Sequence, residues 1–387
     1  MSSDWTTALQ IFRHPAADDD TGIAALAPRG TEKLARARGD LRMGLPVLVT
    51  DGTRSALVAL VEPLSDARLA ALSSLGPVEL ALTDHRAVAL GAHPAPGTGS
   101  VMRLPLARVG TAAAIRTMAG GMATLAPVTP VPPAAAEPGS DLHAAAVGLA
   151  KAEELLPAAV VVPLGAARAE AARLGLLTIA AGDILAALGT SASHGRVSAA
   201  PLPTDSSETG RVHVFRAEGG GREHSAVEVG QPDFSQPVLV RLHSACFTGD
   251  VLGSRKCDCG PQLRAAMTTM GDSAGGVLLY LNQEGRGIGL ANKMRAYNLQ
   301  DAGLDTVDAN QWLGFDDDQR DFRIGAQMLH ALGISRVRLM TNNPAKIARL
   351  TEHGIDVVER VPLQVGRSAL NAHYLATKAA RSGHLLP

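Results

Sequence analysis

The chain has three cysteines in 387 residues, and all fall within fourteen positions: Cys246, Cys257 and Cys259. Thiols scattered by chance do not gather this way. A fold that closes around them offers three thiolates to a tetrahedral zinc ion, and an open fourth position is ordinarily used for a bound water. Cys257 and Cys259 sit at i and i+2, so in extended chain both project to the same side. The pattern points to a catalytic metal site. A structural zinc, with His243 or a distant group as fourth ligand, is the blander reading; the lack of a fourth cysteine weighs against it.

Composition sets the surroundings. Hydrophobic content of 46% and charge of 19% describe a soluble globular chain long enough for two cores. A net charge of −1 gives no basic field for nucleic acid or an anionic membrane. An odd, clustered set of cysteines argues against a disulfide framework and for a reducing compartment. Neither a secretory signal nor an apolar run of membrane-spanning length is visible. The expectation is a cytoplasmic protein with no nucleic-acid or membrane partner.

Character changes near residue 200. The first two hundred residues are rich in Ala, Leu, Gly and Pro, with Trp5 and Phe12 as their aromatics, whereas every tyrosine and cysteine comes later. Two domains are expected, 1–200 and 201–387, joined by a polar connector from Ser191 to Glu208, with a loop over Ala126–Pro138. In the first, strands are expected at Pro46–Thr50, Val78–Leu82 and Ala158–Val162, and helices at Leu142–Leu155 and Gly165–Leu174. In the second, strands are expected at Pro237–His243, Gly276–Leu281, Arg336–Thr341 and Ile355–Val361. Helices should span Leu290–Asp301 and Ala345–His353, the latter opened by an Asn343 cap and Pro344. The fold class is α/β with two domains, the first α/β or α+β and the second mixed α/β.

Three further segments could carry chemistry. Gln283-Glu284-Gly285-Arg286-Gly287-Ile288-Gly289 is a strand-to-helix turn whose backbone amides could meet phosphate oxygens, although such turns are often merely turns. Arg286, with Lys293 and Arg295, favours an anionic ligand. Gly314 to Asp321 is either a solvated acidic loop or a source of acid–base groups. Thr341 to Lys346 places polar groups where a strand's C-terminal end meets a helix, the edge at which open α/β sheets commonly bind ligands.

From about residue 205 onward the chain resembles GTP cyclohydrolase II, the first committed enzyme of riboflavin biosynthesis. The blocks that carry the resemblance include Arg241 to Asp250, Arg255 to Leu263, Gln283 to Arg286, Asn292 to Asp301, Asp305 to Asn310, Leu313 to Phe315, Arg320 to Phe322, Thr341 to Lys346, and the closing Gly383-His384-Leu385-Leu386. The resemblance implies a hydrolase acting on cyclic amidine C–N bonds. It converts GTP to formate, diphosphate and 2,5-diamino-6-ribosylamino-4(3H)-pyrimidinone 5′-phosphate. It also implies one zinc per subunit on Cys246, Cys257, Cys259 and water, magnesium on the triphosphate, and a homodimer. Tyr297 then assists ring opening, Asp318 accepts a proton, and Arg320 takes up the α-phosphoryl group. Arg241, Leu242, His243, Ser244, Ala245, Gln262, Glu284, Gly285, Arg286, Thr306, Thr341 and Lys346 match GTP-contacting positions. The family usually has Glu where Ala245 stands.

The first half weakly resembles 3,4-dihydroxy-2-butanone 4-phosphate synthase, but a degenerate one. That enzyme's dense acidic motif is replaced after Asp51 by Gly52-Thr53-Arg54-Ser55-Ala56, and its His-Thr-Glu motif falls on Leu142-His143-Ala144. Magnesium needs oxygen ligands, so this domain is expected to lack synthase activity and to serve dimerisation, stability or regulation. Two rivals to the leading reading are an enzyme opening a different ring and a non-catalytic scaffold with a structural zinc.

Overall fold

The apolar runs of both halves become sheet. In the computed structural model, which describes residues 26–92, 99–106, 110–122, 136–165, 172–383 and 385, two mixed seven-stranded sheets are present among the described residues. The two α/β domains expected from the sequence are there. Expected strands and helices recur within a few residues of their anticipated ends. Trp5, Phe12, most of the Ala126–Pro138 loop, most of Gly165–Leu174, and His384 lie outside the described residues. No described helix is long and apolar enough to cross a membrane.

The first sheet contains β1 (Val47–Thr50), β2 (Ser55–Leu60), β3 (Glu79–Thr83), β4 (Val101–Pro105), β5 (Glu137–Pro138), β6 (Ala158–Leu164) and β7 (Thr178–Ala180), in the order β5-β4-β3-β6-β2-β1-β7. Strand β2 is buried at every position, which requires apolar layers on both faces of the sheet. Period-two alternation divides it between them: Ala56, Val58 and Leu60 meet helix Asp141–Ala152 on one face, while Leu57 and Ala59 enter a second core. Into that second core come Ile288, Ala296, Leu299, Ala309, Leu313 and Phe315.

The packing divides the chain along different lines from the change in composition near residue 200. The described residues divide into one unit within 29–190 and 284–320 and another within 191–283 and 321–385. A single cut at 200/201 does not describe that packing. The physical reason is that Ala296, Leu299 and Ala309 of helices Gly289–Asp301 and Thr306–Trp312, with the flanking Ile288, Leu313 and Phe315, are buried on the first sheet. Polar anchors reinforce it. Arg295 donates twice to Glu62, at 3.0 and 2.9 Å, and Asn292 donates to Glu154 O at 2.8 Å. The Arg86 guanidinium, buried, donates to Met118 O, Thr117 O and Trp312 O and lies 4.0 Å over the Trp312 ring.

The second sheet contains β8 (His194–Pro201), β9 (Gly210–Ala217), β10 (His224–Val229), β11 (Val238–Ser244), β12 (Gly276–Leu281), β13 (Arg336–Met340) and β14 (Asp356–Val361), in the order β14-β13-β11-β12-β10-β9-β8. Strand β8 occupies much of the expected connector. As an edge strand with one neighbour it is mostly exposed and made of small and polar residues, and so reads like a linker. The four strands β14, β13, β11 and β12 are mutually parallel. Their C-terminal ends therefore reach one edge, bringing together the segments after Ser244, Leu281, Met340 and Val361.

Candidate functional site

Strand β11 delivers the chain to Cys246. The amide of Ala245 still donates to Leu281 O at 2.8 Å, after which the chain leaves the sheet into the short helix Phe247–Asp250. Cys257 and Cys259 lie at the start of helix Cys259–Gly271. The three sulfurs fall within 4.8 Å of one another, and Cys246 and Cys257 are 3.7 Å apart, well beyond disulfide bonding.

Two glycines make this approach possible. A Cβ on Gly249 would stand 2.8 Å from Cys257 Sγ and 3.1 Å from Cys246 Sγ, and one on Gly260 would stand 2.1 Å from Gly249 O. Contact with Cys246 pushes the Cys259 thiol well above its ordinary pKa, and the Cys257 thiol up as well. Three thiols so crowded need a cation before all can ionise. The donor set, the spacing and the glycine cradle fit a zinc ion.

His243 is not part of this group. Its Nε2 lies 3.1 Å from both carboxylate oxygens of Asp250, and its ring stacks on Tyr280 with centroids 5.7 Å apart. Burial pushes the imidazole pKa down, and because a carboxylate can only accept, Nε2–H donates to Asp250. Asp250 is a hub that reasoning from sequence left without a role. It also accepts from Cys246 N at 2.9 Å and from Tyr280 Oη at 3.0 Å, which fixes the first thiol's backbone. Its place four residues after Cys246, beside the cradle glycine, is the signal that could have marked it.

The remaining sheet-edge residues are knitted together. Arg241 donates to Met340 O at 2.9 Å and to Gln262 Oε1 at 2.6 Å. Lys346 donates to Leu242 O at 2.8 Å, and Thr341 Oγ1 accepts from Asn343 N at 3.0 Å. Asn343 caps helix Pro344–Glu352 by accepting from Ala345 N, as the sequence indicated. Among the described residues, Ser244 Oγ is buried without a hydrogen-bond partner.

The other expected residues lie in the unit built on the first sheet. Glu284 Oε1 accepts from Gly285 N and Lys293 Nζ, both at 2.9 Å. Gly285 and Arg286 follow with φ of 62° and 63°. A non-glycine residue in the left-handed region persists only where its surroundings hold it. Here the Arg286 carbonyl accepts from Gln319 N at 2.9 Å while its guanidinium bonds Asp317. Arg295, counted earlier toward an anionic ligand, is instead committed to Glu62.

The acidic loop is a ladder of ion pairs in which Asp316 and Asp318 remain exposed. Asp316 pairs with Lys151, Asp317 with Arg286, and Asp318 with Arg320 through two side-chain bonds of 2.8 and 2.6 Å. Burial alone would raise the Asp318 pKa, but the bonds and charge of Arg320 hold it below the ordinary carboxylate value. Tyr297 lies one helical turn after Lys293, whose ammonium is 5.7 Å from its ring. Thr306 opens the helix capped by Asp305, its hydroxyl 3.4 Å from Gln300 Nε2.

In the first half, Asp51 is spent on its own turn, accepting from the amides of Thr53 and Arg54 and from Arg54 Nε. His143 is buried against Glu79 at 2.8 Å.

Known proteins align with this chain along most of its length. A family model described as GTP cyclohydrolase II matches residues 195–362. The GTP cyclohydrolase-2 of Azospirillum brasilense is 44% identical over 366 residues, 90% of this chain and 93% of its own. That of Xylella fastidiosa is 39% identical over 359 residues, 92% of this chain and 87% of its own. A third, from Pseudomonas putida strain F1, is 55% identical over 190 residues, 49% of this chain and 92% of its own. Among solved structures, a two-domain 3,4-dihydroxy-2-butanone 4-phosphate synthase from A. baumannii covers 85% of this chain and 98% of its own at 19% identity and a TM-score of 0.32.

Proposed function

The chain belongs to the GTP cyclohydrolase II family of enzymes, and from that premise we propose that it uses zinc to hydrolyse GTP to 2,5-diamino-6-ribosylamino-4(3H)-pyrimidinone 5′-phosphate, formate and diphosphate. The observation that carries the reading is the thiol trio closed around Gly249. Cys246, Cys257 and Cys259 would hold the ion. Zinc, where bound, supplies a water acidic enough to act as a nucleophile at neutral pH.

The chain's own residues do the rest. Arg241, Leu242, His243, Ser244, Ala245, Gln262, Glu284, Gly285, Arg286, Thr306, Thr341 and Lys346 contact GTP. The cations among them meet the triphosphate, with magnesium sharing its charge. His243, tied to Asp250, serves to orient. Tyr297 assists opening of the ring. Asp318 is ionised at neutral pH and free to accept a proton, but weakly basic while Arg320 grips it. Arg320 moving to the α-phosphoryl group would therefore strengthen Asp318 as a base at the step that needs one.

The first half, in this reading, keeps a synthase-like fold without synthase activity. Asp51 is followed by Gly52-Thr53-Arg54-Ser55-Ala56, with no carboxylate before Glu62 to share a magnesium ion, and is itself bound by Arg54. Its role is to stabilise the segment 284–320 that carries Tyr297, Asp318 and Arg320. The protein is further proposed to be a cytoplasmic homodimer. The test is incubation with GTP and magnesium while formate, diphosphate and the pyrimidine are quantified together. Equimolar release of all three supports the reading; bound zinc without GTP consumption sinks it. Formation of dihydroxybutanone phosphate from ribulose 5-phosphate would overturn the assignment of the first half.

A further inference from the structure

Between two of the three thiols sits Asp258, whose side chain is 2% exposed. One carboxylate oxygen accepts from Lys378 Nζ at 2.7 Å, the other from Gln262 Nε2 at 2.5 Å. Gln262 in turn accepts from Arg241, which is anchored on Met340 O. A continuous chain of four side chains thus runs from the helix Ala372–Ser382 through the thiol turn to the sheet edge. None of this was visible as a motif, because Lys378 lies 120 positions from its partner.

The helix is seated rather than loosely placed. Asn371, at its start, donates to Gly366 O at 2.7 Å and accepts from Ser368 N at 2.8 Å. Gly366 packs so closely that a Cβ there would lie 2.8 Å from Pro261 and 3.5 Å from Asp258 Cα. The Lys378 ammonium lies 4.5 Å over the Tyr374 ring, its side chain 12% exposed. At the far end Gly383 adopts a left-handed φ of 64° and returns its amide to Lys378 O.

Charge makes the arrangement consequential. Three thiolates with the buried carboxylates of Asp250 and Asp258 gather five negative charges around one site, and a divalent ion cancels two. Burying like charges together is costly unless a cation faces them. We propose that Lys378 is a positioning residue for the metal centre, fixing the Cys257–Cys259 turn through Asp258 and offsetting the charge gathered there. The proposal rests on reading the thiol trio as a metal site. Burial opposes the ammonium's charge, yet its anionic surroundings hold the pKa above the ordinary lysine value.

The test measures zinc affinity, with no substrate present, by competing the full-length protein against a chromophoric chelator. Lys378→Met should weaken zinc binding about 10- to 100-fold, the range typical of lost partners to metal ligands. Lys378→Arg, which keeps the charge, should recover most of it. Asp258→Asn should weaken binding similarly, and adding Lys378→Met to it should cost little more, because the two act through one contact. Multiplying losses, or a Lys378→Met protein that is folded by circular dichroism and binds zinc as tightly as wild type, would overturn the inference alone. A wild-type protein that holds no zinc would overturn the metal reading and this inference with it.

Discussion

The thiol turn and the acidic loop are both polar constructions at chain reversals, yet their supports come from different distances. Gly249, Asp250, Asp258 and Gly260, which shape most of the turn, all lie within a few residues of a cysteine, with Lys378 as a distant hold on Asp258. The loop is shaped from far away: Lys151 reaches Asp316 across 165 positions, and Arg86 reaches Trp312 across 226. Gly314, with φ of 91°, is required there because a Cβ would strike Thr83 Oγ1 at 2.7 Å. A site supported from nearby can be carried as a short motif. One supported from afar depends on the whole unit being folded.

The sharpest way to break this contrast is to damage each region separately. Cys257→Ser should remove metal binding and lower turnover by at least about 10³-fold, equivalent to several kcal/mol of lost transition-state stabilisation. Urea unfolding of the 29–190/284–320 unit should be unchanged. The converse variant is Arg86→Ala, which strands three carbonyls and leaves a cavity. It should destabilise that unit by about 3–5 kcal/mol in urea titrations while zinc stoichiometry stays at wild-type level. Equal loss of zinc in Arg86→Ala would show that the turn is not locally supported after all.

Smaller effects sharpen the comparison. Asp316 and Asp318 both have folded pKa values below the ordinary carboxylate value: burial raises each, but Lys151 and Arg320 respectively outweigh it. A depressed carboxylate pKa gives stability that is present above the unfolded value, near 4, and lost as pH falls through the folded one. The urea midpoint should therefore drop below about pH 4, and Lys151→Ala should make that drop shallower. The same variant should lower kcat by a few-fold with KM for GTP little changed, since it loosens the loop before Asp318. Smallest of all, Ala245→Glu should raise turnover or zinc affinity by no more than about tenfold. No change in either would show that a carboxylate at this position is dispensable here.

Reading the residues in order recovers the thiol trio, the strand-to-helix edges and the Asn343 cap, because each is written in a few adjacent positions. It does not recover the hold of Arg86 on Trp312, of Glu62 on Arg295, or of Lys378 on Asp258. Such pairs leave no periodicity and no spacing. It also divides the chain once, near 200, since composition changes there. The apolar stripe of Ile288, Leu299 and Leu313 reads simply as a helix face in need of a partner, and nothing local says which sheet supplies it. Arg295 shows the same limit in reverse: a cation near a glycine-rich turn reads as ligand-binding until Glu62 comes into view.

The interleaving of the two units has a consequence at the ribosome. The first sheet's core includes residues up to Phe315, so it cannot close when its own strands have emerged at Ala180. Some 135 residues remain to be made, which at about 5–20 residues per second takes roughly 7–27 s. During that interval the face awaiting Ile288, Ala296, Leu299, Leu313 and Phe315 stands open to water. A nascent chain in that condition is a ready client for chaperones, and slow synthesis over residues 190–315 should cost more yield than slow synthesis elsewhere.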